Sequence, residues 1–230
     1  MGLAGAAAIA IWSEVEAAAL DEHDVWHSTE HFPERIGILG FLRGRRAAAA
    51  DPRVPQQRFI LYEIENMAVA TSAPYLDRLN NPTPWSRKIM ARCSLNRTLC
   101  RVAASHGQGV GSRILTIRLS PQPGRGKELQ AWLAEKALPE LARKKGIVGA
   151  HLLQKDSDTV RPRTSEEKLR RGGADASADW VVLVEGYDAQ SVHPASMDAL
   201  SETQLKVHGA ASDGVAAGYV LSHLVTSGKT

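Results

Sequence analysis

The sequence predicts an α+β fold: two tandem ferredoxin-like (βαββαβ) units in one chain, packed sheet against sheet as an intrachain α+β barrel with helices outside. Three observations predict it. Trp26 and Pro33 recur as Trp132 and Pro139 at one constant offset. Around and after the prolines, Phe32-Pro33-Glu34 matches Leu138-Pro139-Glu140, and, past a short insertion, Gly37-Ile38-Leu39-Gly40 matches Gly146-Ile147-Val148-Gly149. Further on, Phe59 to Glu63 lines up with Val181 to Glu185, and Leu99 to Gly107 with Val220 to Gly228. Matches kept in the same order along a whole chain mark an internal repeat.

Each half reads strand, helix, strand, strand, helix, strand. The first half places these at 7–12, 16–35, 39–47, 58–65, 72–80 and 97–104. The second places them at 113–119, 125–145, 148–155, 180–186, 194–206 and 217–226. Ala7 to Trp12 is a short apolar run bounded by polar residues, the pattern of a buried strand. Leu129, Trp132, Leu133, Leu138 and Leu141 form an apolar stripe of helical period, and Pro139 inside it should distort the helix because its ring removes a backbone donor. The segment 106–112, with its three glycines, marks a joint, which divides the chain into a first unit at 1–107, a linker at 108–112 and a second unit at 113–230. Two further segments read as loops: 47–57, with its prolines, and the polar stretch 156–179, which carries Arg170-Arg171-Gly172-Gly173. The second reads as a mobile surface insertion, with a lid over a pocket as the alternative.

Composition narrows the function classes. The chain has 230 residues, 43% hydrophobic and 23% charged, an ordinary globular balance that excludes wholesale disorder. A net charge of +3 is too mild for a nucleic-acid binder. Cys93 and Cys100 have neither metal-site nor redox-motif spacing, so a reduced cytoplasmic setting is expected. The apolar opening has no Lys or Arg ahead of it and ends at Ser13-Glu14, too soon to span a bilayer, so no membrane partner is expected. Association into a homo-oligomer is compatible with all of this.

The repeat supplies an internal control. Leu129, Leu133 and Ala137, at i, i+4 and i+8, belong to the second half's inward stripe; the matched residues of the first half are His23, His27 and His31. Burying polar groups is costly unless they find partners, and such a cost is tolerated where chemistry is done. The plainer alternative puts His23 and His27 at the solvent edge of the stripe. His31 has the best case as an acid–base group, because a helix carboxyl end beside Glu30 and Glu34 favours the imidazolium. On the next strand, alternation puts Phe41, Arg43 and Arg45 on one face and Leu42, Gly44 and Arg46 on the other. A guanidinium suits a carboxylate or phenolate. Tyr62 and Trp85 join Phe41 as candidate ring contacts, while Glu63 and Glu185, matched across the halves, read as structural.

Two sharper-looking signals fail on context. His27-Ser28-Thr29-Glu30-His31 matches the inverted zinc-protease pattern, but it lacks a further ligand, since His23 and His31 stand two helical turns apart. No metal is expected there. Gly107 to Ser112 resembles a dinucleotide loop but opens a strand rather than a helix.

Trp26-His27-Ser28-Thr29-Glu30-His31-Phe32-Pro33-Glu34-Arg35, followed by Gly40-Phe41-Leu42-Arg43 and Leu61-Tyr62-Glu63, resembles the EthD-type branch of the dimeric α+β barrel superfamily, most clearly over residues 21–90. His27 departs from the aromatic residue expected after the tryptophan. The resemblance implies catabolic or polyketide-type aromatic chemistry without a cofactor, although some distant relatives bind haem. The expected function is therefore a cofactor-independent lyase or isomerase, working by decarboxylation, dehydration, cyclisation or isomerisation on a small aromatic or polyketide-like acid. His31 would transfer the proton and His27 or Glu30 would adjust it. Arg43 and Arg45 would hold the anion, and Trp85, Phe41 and Tyr62 would contact the ring. The alternatives are a non-catalytic small-molecule-binding or accessory protein of a catabolic pathway and, less favoured, a metal or haem enzyme.

Overall fold

A computed structural model describes residues 2–159, 163–171, 177–212 and 214–228. Its strands are β1 (Ala7–Val15), β2 (Phe41–Ala49), β3 (Arg58–Ile64), β4 (Cys93–Gly107), β5 (Arg113–Leu119), β6 (Ile147–Lys155), β7 (Trp180–Gly186) and β8 (Val215–Thr226). They close into one barrel in the order β1-β3-β2-β8-β5-β7-β6-β4, every neighbouring pair antiparallel. Each half thus has the order 4-1-3-2 of a βαββαβ unit, and closure through β2–β8 and β4–β6 removes every sheet edge. The expected α+β barrel is the fold found.

The first helical layer runs α1 (Leu20–Trp26), a π turn (His27–His31) and α2 (Phe32–Ile36), followed later by α3 (Ala73–Asn80) and α4 (Pro84–Met90). The second runs α5 (Gly126–Trp132), a π turn (Leu133–Ala137), α6 (Leu138–Ala142), α8 (Ala189–Ala199) and α9 (Glu202–Val207), while α7 (Ser165–Leu169), from the β6–β7 connection, packs on α3 and α4 of the first layer. The distortion expected at Pro139 appears as a π turn just ahead of it, and Pro33 has the same turn at the matching place. A wider turn relieves the clash between a proline ring and the carbonyl one turn back. Because both halves share it, the π turn belongs to the scaffold. Among the described residues no helix is long and apolar enough to cross a membrane.

Alternation along the strands sorts the core into layers. Ala8, Ala10, Trp12, Phe59, Leu61, Leu153, Leu183 and Tyr219 point into the barrel. Ile9, Phe32, Phe41, Ile60 and Tyr62 pack between the first sheet and its helices, and Leu115, Leu129, Leu133, Leu152 and Val184 do so in the second. Burying each large apolar side chain contributes about 1.5–3 kcal/mol.

Strand register corrects three expectations. Gly40 and Gly146 both have positive φ, +91° and +87°, and each is followed by a β-bulge, between Phe41 and Arg43 and between Ile147 and Gly149. The halves therefore match Gly40 to Gly146, as Trp26 matches Trp132, and the insertion inferred from the Gly-Ile repeats does not exist. Arg43 corresponds to Gly149 and Arg45 to His151. At the carboxyl ends, Ile9 pairs with Leu99 and Leu115 with Gly218, so Leu99 corresponds to Gly218 rather than Val220. Third, the bulge adds one residue and reverses the alternation: Phe41 faces the helices, whereas Arg43 and Arg45 face the barrel interior.

Helices α4 and α7 were not anticipated. α7 lies within the 156–179 insertion, and of that insertion residues 160–162 and 172–176, including Gly172 and Gly173, lie outside the described residues.

Candidate functional site

The histidine stripe is built by α1 and its π turn. His23, His27 and His31 are only 2%, 1% and 6% exposed, so the inward orientation read from Leu129, Leu133 and Ala137 holds and the solvent-edge alternative fails. The rings stack along the helix, His23 to His27 at 5.6 Å and His27 to His31 at 5.3 Å between centroids. Trp26 lies 4.5 Å from the His31 ring, and Phe32 meets His27 edge-on at 4.2 Å. The Tyr62 hydroxyl, from β3, stands 3.4 Å from His27 Nε2. Among the described residues, neither His27 Nδ1 nor His31 Nδ1 has a hydrogen-bond partner.

These rings face a cavity of about 30 Å³, lined also by Ile11, Tyr62, Glu166 and Arg170. That is room for about one water. The cavity is roofed by α7, whose start is fixed by a capping box: Thr164 accepts from the Glu167 N–H while Glu167 accepts from the Thr164 N–H. Glu166, 3% exposed, bridges two guanidinium groups. Arg35 Nη2 donates to one of its oxygens at 2.6 Å and Arg170 Nη2 to the other at 2.8 Å. Part of the 156–179 insertion is therefore a closed cover, not a free surface loop.

The electrostatics reverse the expectation for His31. Burial, then the Arg35 guanidinium and the neighbouring His27, hold its imidazole well below the ordinary histidine range. Burial, His23 and Arg46 do the same to His27. The helix-end effect is outweighed because desolvation and flanking cations disfavour the imidazolium. Both rings are neutral at pH 7. Burial also pushes the Tyr62 phenol up, so it remains a hydrogen-bond donor.

The other predicted residues scatter. Glu30 turns towards α4, accepting from Trp26 Nε1 at 3.0 Å, Thr83 Oγ1 at 2.6 Å and Ser86 Oγ at 3.1 Å; it tethers helices and does not adjust His31. Arg43 and Arg45 lie on the opposite face of the sheet from the histidines. Arg43 is bidentate to Glu63, at 2.8 and 2.6 Å. Arg45 bridges Glu63 at 2.9 Å and Glu185 at 2.5 Å. Those glutamates also accept from the Ala4 and Gly111 N–H groups, pinning the starts of the two halves. Burial would raise Glu185, yet Arg45 and His151 bring it down to about 2. Phe41 is core, packed on Tyr62 and Tyr75. Trp85 is half-buried, and its indole N–H donates to Glu22. Of the eight predicted site residues, His27, His31 and Tyr62 converge.

Sequence reasoning missed Arg35, Glu166 and Arg170. Arg35 carried a usable signal, standing one helical turn beyond His31 on the same face. Glu166 and Arg170 had only their i, i+4 spacing in a polar insertion, which says nothing of what they cover. Among the described residues no three His, Cys, Asp or Glu side chains converge as a metal site. The histidine cavity is also far too small for a porphyrin.

No protein-family profile and no curated protein matches the chain. Solved structures do. A protein of Fusobacterium nucleatum subsp. nucleatum provisionally assigned as a monooxygenase superposes with TM-score 0.62 at 12% identity, covering 98% of this chain and 97% of that one. An anthrone oxidase-like protein gives 0.65 at 10% identity over 97% and 93%. A chlorite dismutase variant from Candidatus Nitrospira defluvii gives 0.56 at 8% identity over 96% and 92%. At such identities these similarities establish the dimeric α+β barrel fold alone.

Proposed function

We propose that the chain is a cofactor-independent lyase or isomerase of the EthD-like type, with residues 1–107 as its active half and a small aromatic or polyketide-like acid as substrate. The observation that carries this reading is the row of buried neutral imidazoles, His27 and His31 each with an unpartnered nitrogen, where the second half has Leu133 and Ala137. An imidazole is costlier to bury than the leucine and alanine side chains found at the matching places, and a core without chemistry to perform has no need of it. A neutral imidazole has one acceptor nitrogen. His31 uses it to take a proton from the bound acid and returns the proton to the rearranged product. His27 is held by the Tyr62 hydroxyl and fixes the neighbouring ring.

The anion-holding role passes from Arg43 and Arg45 to Arg35 and Arg170, which already grip the Glu166 carboxylate at the rim of the cavity. A substrate carboxylate takes the place of the Glu166 carboxylate between Arg35 and Arg170 when the Glu166 side chain swings out, so binding and opening are one exchange of carboxylates. Replacing His31 with Gln should lower turnover at least about a hundredfold on any acid the wild type converts, the usual scale for general acid–base catalysis. Wild-type rates would remove His31 from the mechanism.

The closed cavity favours a second reading, a binding or accessory protein that retains its ligand unchanged. Native mass spectrometry alongside product analysis separates the two. Because neighbours carry monooxygenase and oxidase names, oxygen uptake during turnover distinguishes oxidation from lyase or isomerase chemistry.

A further inference from the structure

A second hollow, of about 390 Å³, lies in the other half of the barrel, away from His23, His27 and His31 and with His193 of α8 in its lining. Its floor is the outer face of β5 and β8 at Leu115, Ala216 and Gly218, with Val192 of α8 on one side and Val54 of the β2–β3 connection on the other. That size falls within the range of small-molecule pockets.

Strand register explains why space is left there. Ile9–Leu99 and Ile11–Arg97 in the first half correspond to Leu115–Gly218 and Ile117–Ala216 in the second. Leu99 packs against the first-half core, and Arg97 is spanned between the Tyr75 hydroxyl at 2.9 Å and Glu167 of α7 at 3.1 Å. The second half puts glycine and alanine at these two places. The β6–β7 connection carries α7 over the first-half surface, whereas the β2–β3 connection brings Ala50, Asp51 and Val54, and no helix, to the rim of the second.

The hollow has one unengaged cation. Among the described residues Arg113 makes no ion pair, although it helps keep the nearby Asp188 carboxyl low. Asp188 itself caps α8, accepting from the Gln190 N–H and the Ser191 hydroxyl, and Asp51 is bound by Arg53 at 2.6 Å. We propose that this hollow is a binding site for a small molecule with an apolar body and a single anionic group, the body seated on Gly218 and Ala216 and the anion on Arg113. A guanidinium is suited to such an anion, and the apolar floor excludes a densely charged ligand.

The test is a fluorescence titration of the full chain with 8-anilinonaphthalene-1-sulfonate. One saturable site is expected. Gly218→Leu should abolish it by restoring the side chain found at Leu99, and a Cβ at Gly218 meets nothing nearer than Ala50 Cβ at 3.9 Å, so the variant should fold. Arg113→Gln, which empties no core, should weaken binding at least about tenfold, a charge-assisted hydrogen bond's worth. His31→Gln should leave it unchanged, separating this site from the first. Naphthalene-1-carboxylate should displace the probe, and naphthalen-1-ylmethanol should be at least about tenfold poorer. Absent or unsaturable binding, binding that survives Gly218→Leu or Arg113→Gln, or equal displacement by the uncharged alcohol would overturn the assignment.

Discussion

His31 and Ala137 occupy one position in the two halves of the barrel: each ends a π turn, each is buried, and each stands two residues before a proline. One is an imidazole without a hydrogen bond to any described residue; the other is a methyl group. The scaffold needs an inward side chain there and has no need of a nitrogen.

The first prediction concerns pH. His27 and His31 have folded-state pKa values well below the ordinary 6.5, so between those values and 6.5 the unfolded chain binds more protons than the folded one. Stability is then full above about pH 7.5 and falls as pH drops through 6.5, each ring contributing a slope of up to about 1.4 kcal/mol per pH unit. Depressed carboxyls such as Asp24 and Glu185 lose their contribution only at lower pH, below the ordinary carboxylate range. Urea midpoints between pH 5 and pH 8 check this, and replacing both histidines with Leu should remove most of the slope in the upper window, leaving the smaller contributions of His23 and His223, which burial also lowers.

The second concerns the cover. Glu166→Gln removes the charge that joins Arg35 to Arg170 and leaves two buried guanidinium groups without their shared carboxylate. Breaking a buried ion pair from one side costs about 3–5 kcal/mol. That cost should appear locally, as amide exchange over residues 163–171 accelerated at least about tenfold. Unchanged exchange would show that the cover is held by something else.

The third concerns the barrel interior. Arg45→Met leaves the buried Glu185 carboxylate without its arginine, while Glu63 keeps Arg43, and should destabilise the fold by about 3–5 kcal/mol in urea unfolding. The folded fraction should retain its Michaelis constant for any substrate, because Arg45 lies across the sheet from the histidines. A raised constant at unchanged stability would return Arg45 to the binding role first read from the sequence.

What the sequence showed and what it hid differ for physical reasons. The strand order and the inward row of histidines follow from short-range periodicity, which the chain displays openly: Trp26, Pro33, Trp132 and Pro139 set the frame, and helical spacing does the rest. The bulge after Phe41 leaves no such mark, and a single extra residue moved Arg43 and Arg45 to the other face. The repeated Gly-Ile strings suggested an insertion because Gly37 and Gly40 look alike as letters; only Gly40 and Gly146 share the positive φ that requires glycine. Glu30 and Trp85 were placed wrongly for another reason: their partners, on α4 and at Glu22, come from contacts distant in sequence. The partnership of Arg35 with Glu166 is of the same kind.

The stability of His31→Leu tests the central claim most directly. If the imidazole is kept for chemistry at a cost to the fold, replacing this buried ring, which makes no hydrogen bond to any described residue, with an apolar side chain should raise the unfolding free energy at pH 7.5 by about 1–3 kcal/mol. A variant less stable than wild type would mean that the ring is an ordinary part of the core and would contradict the account.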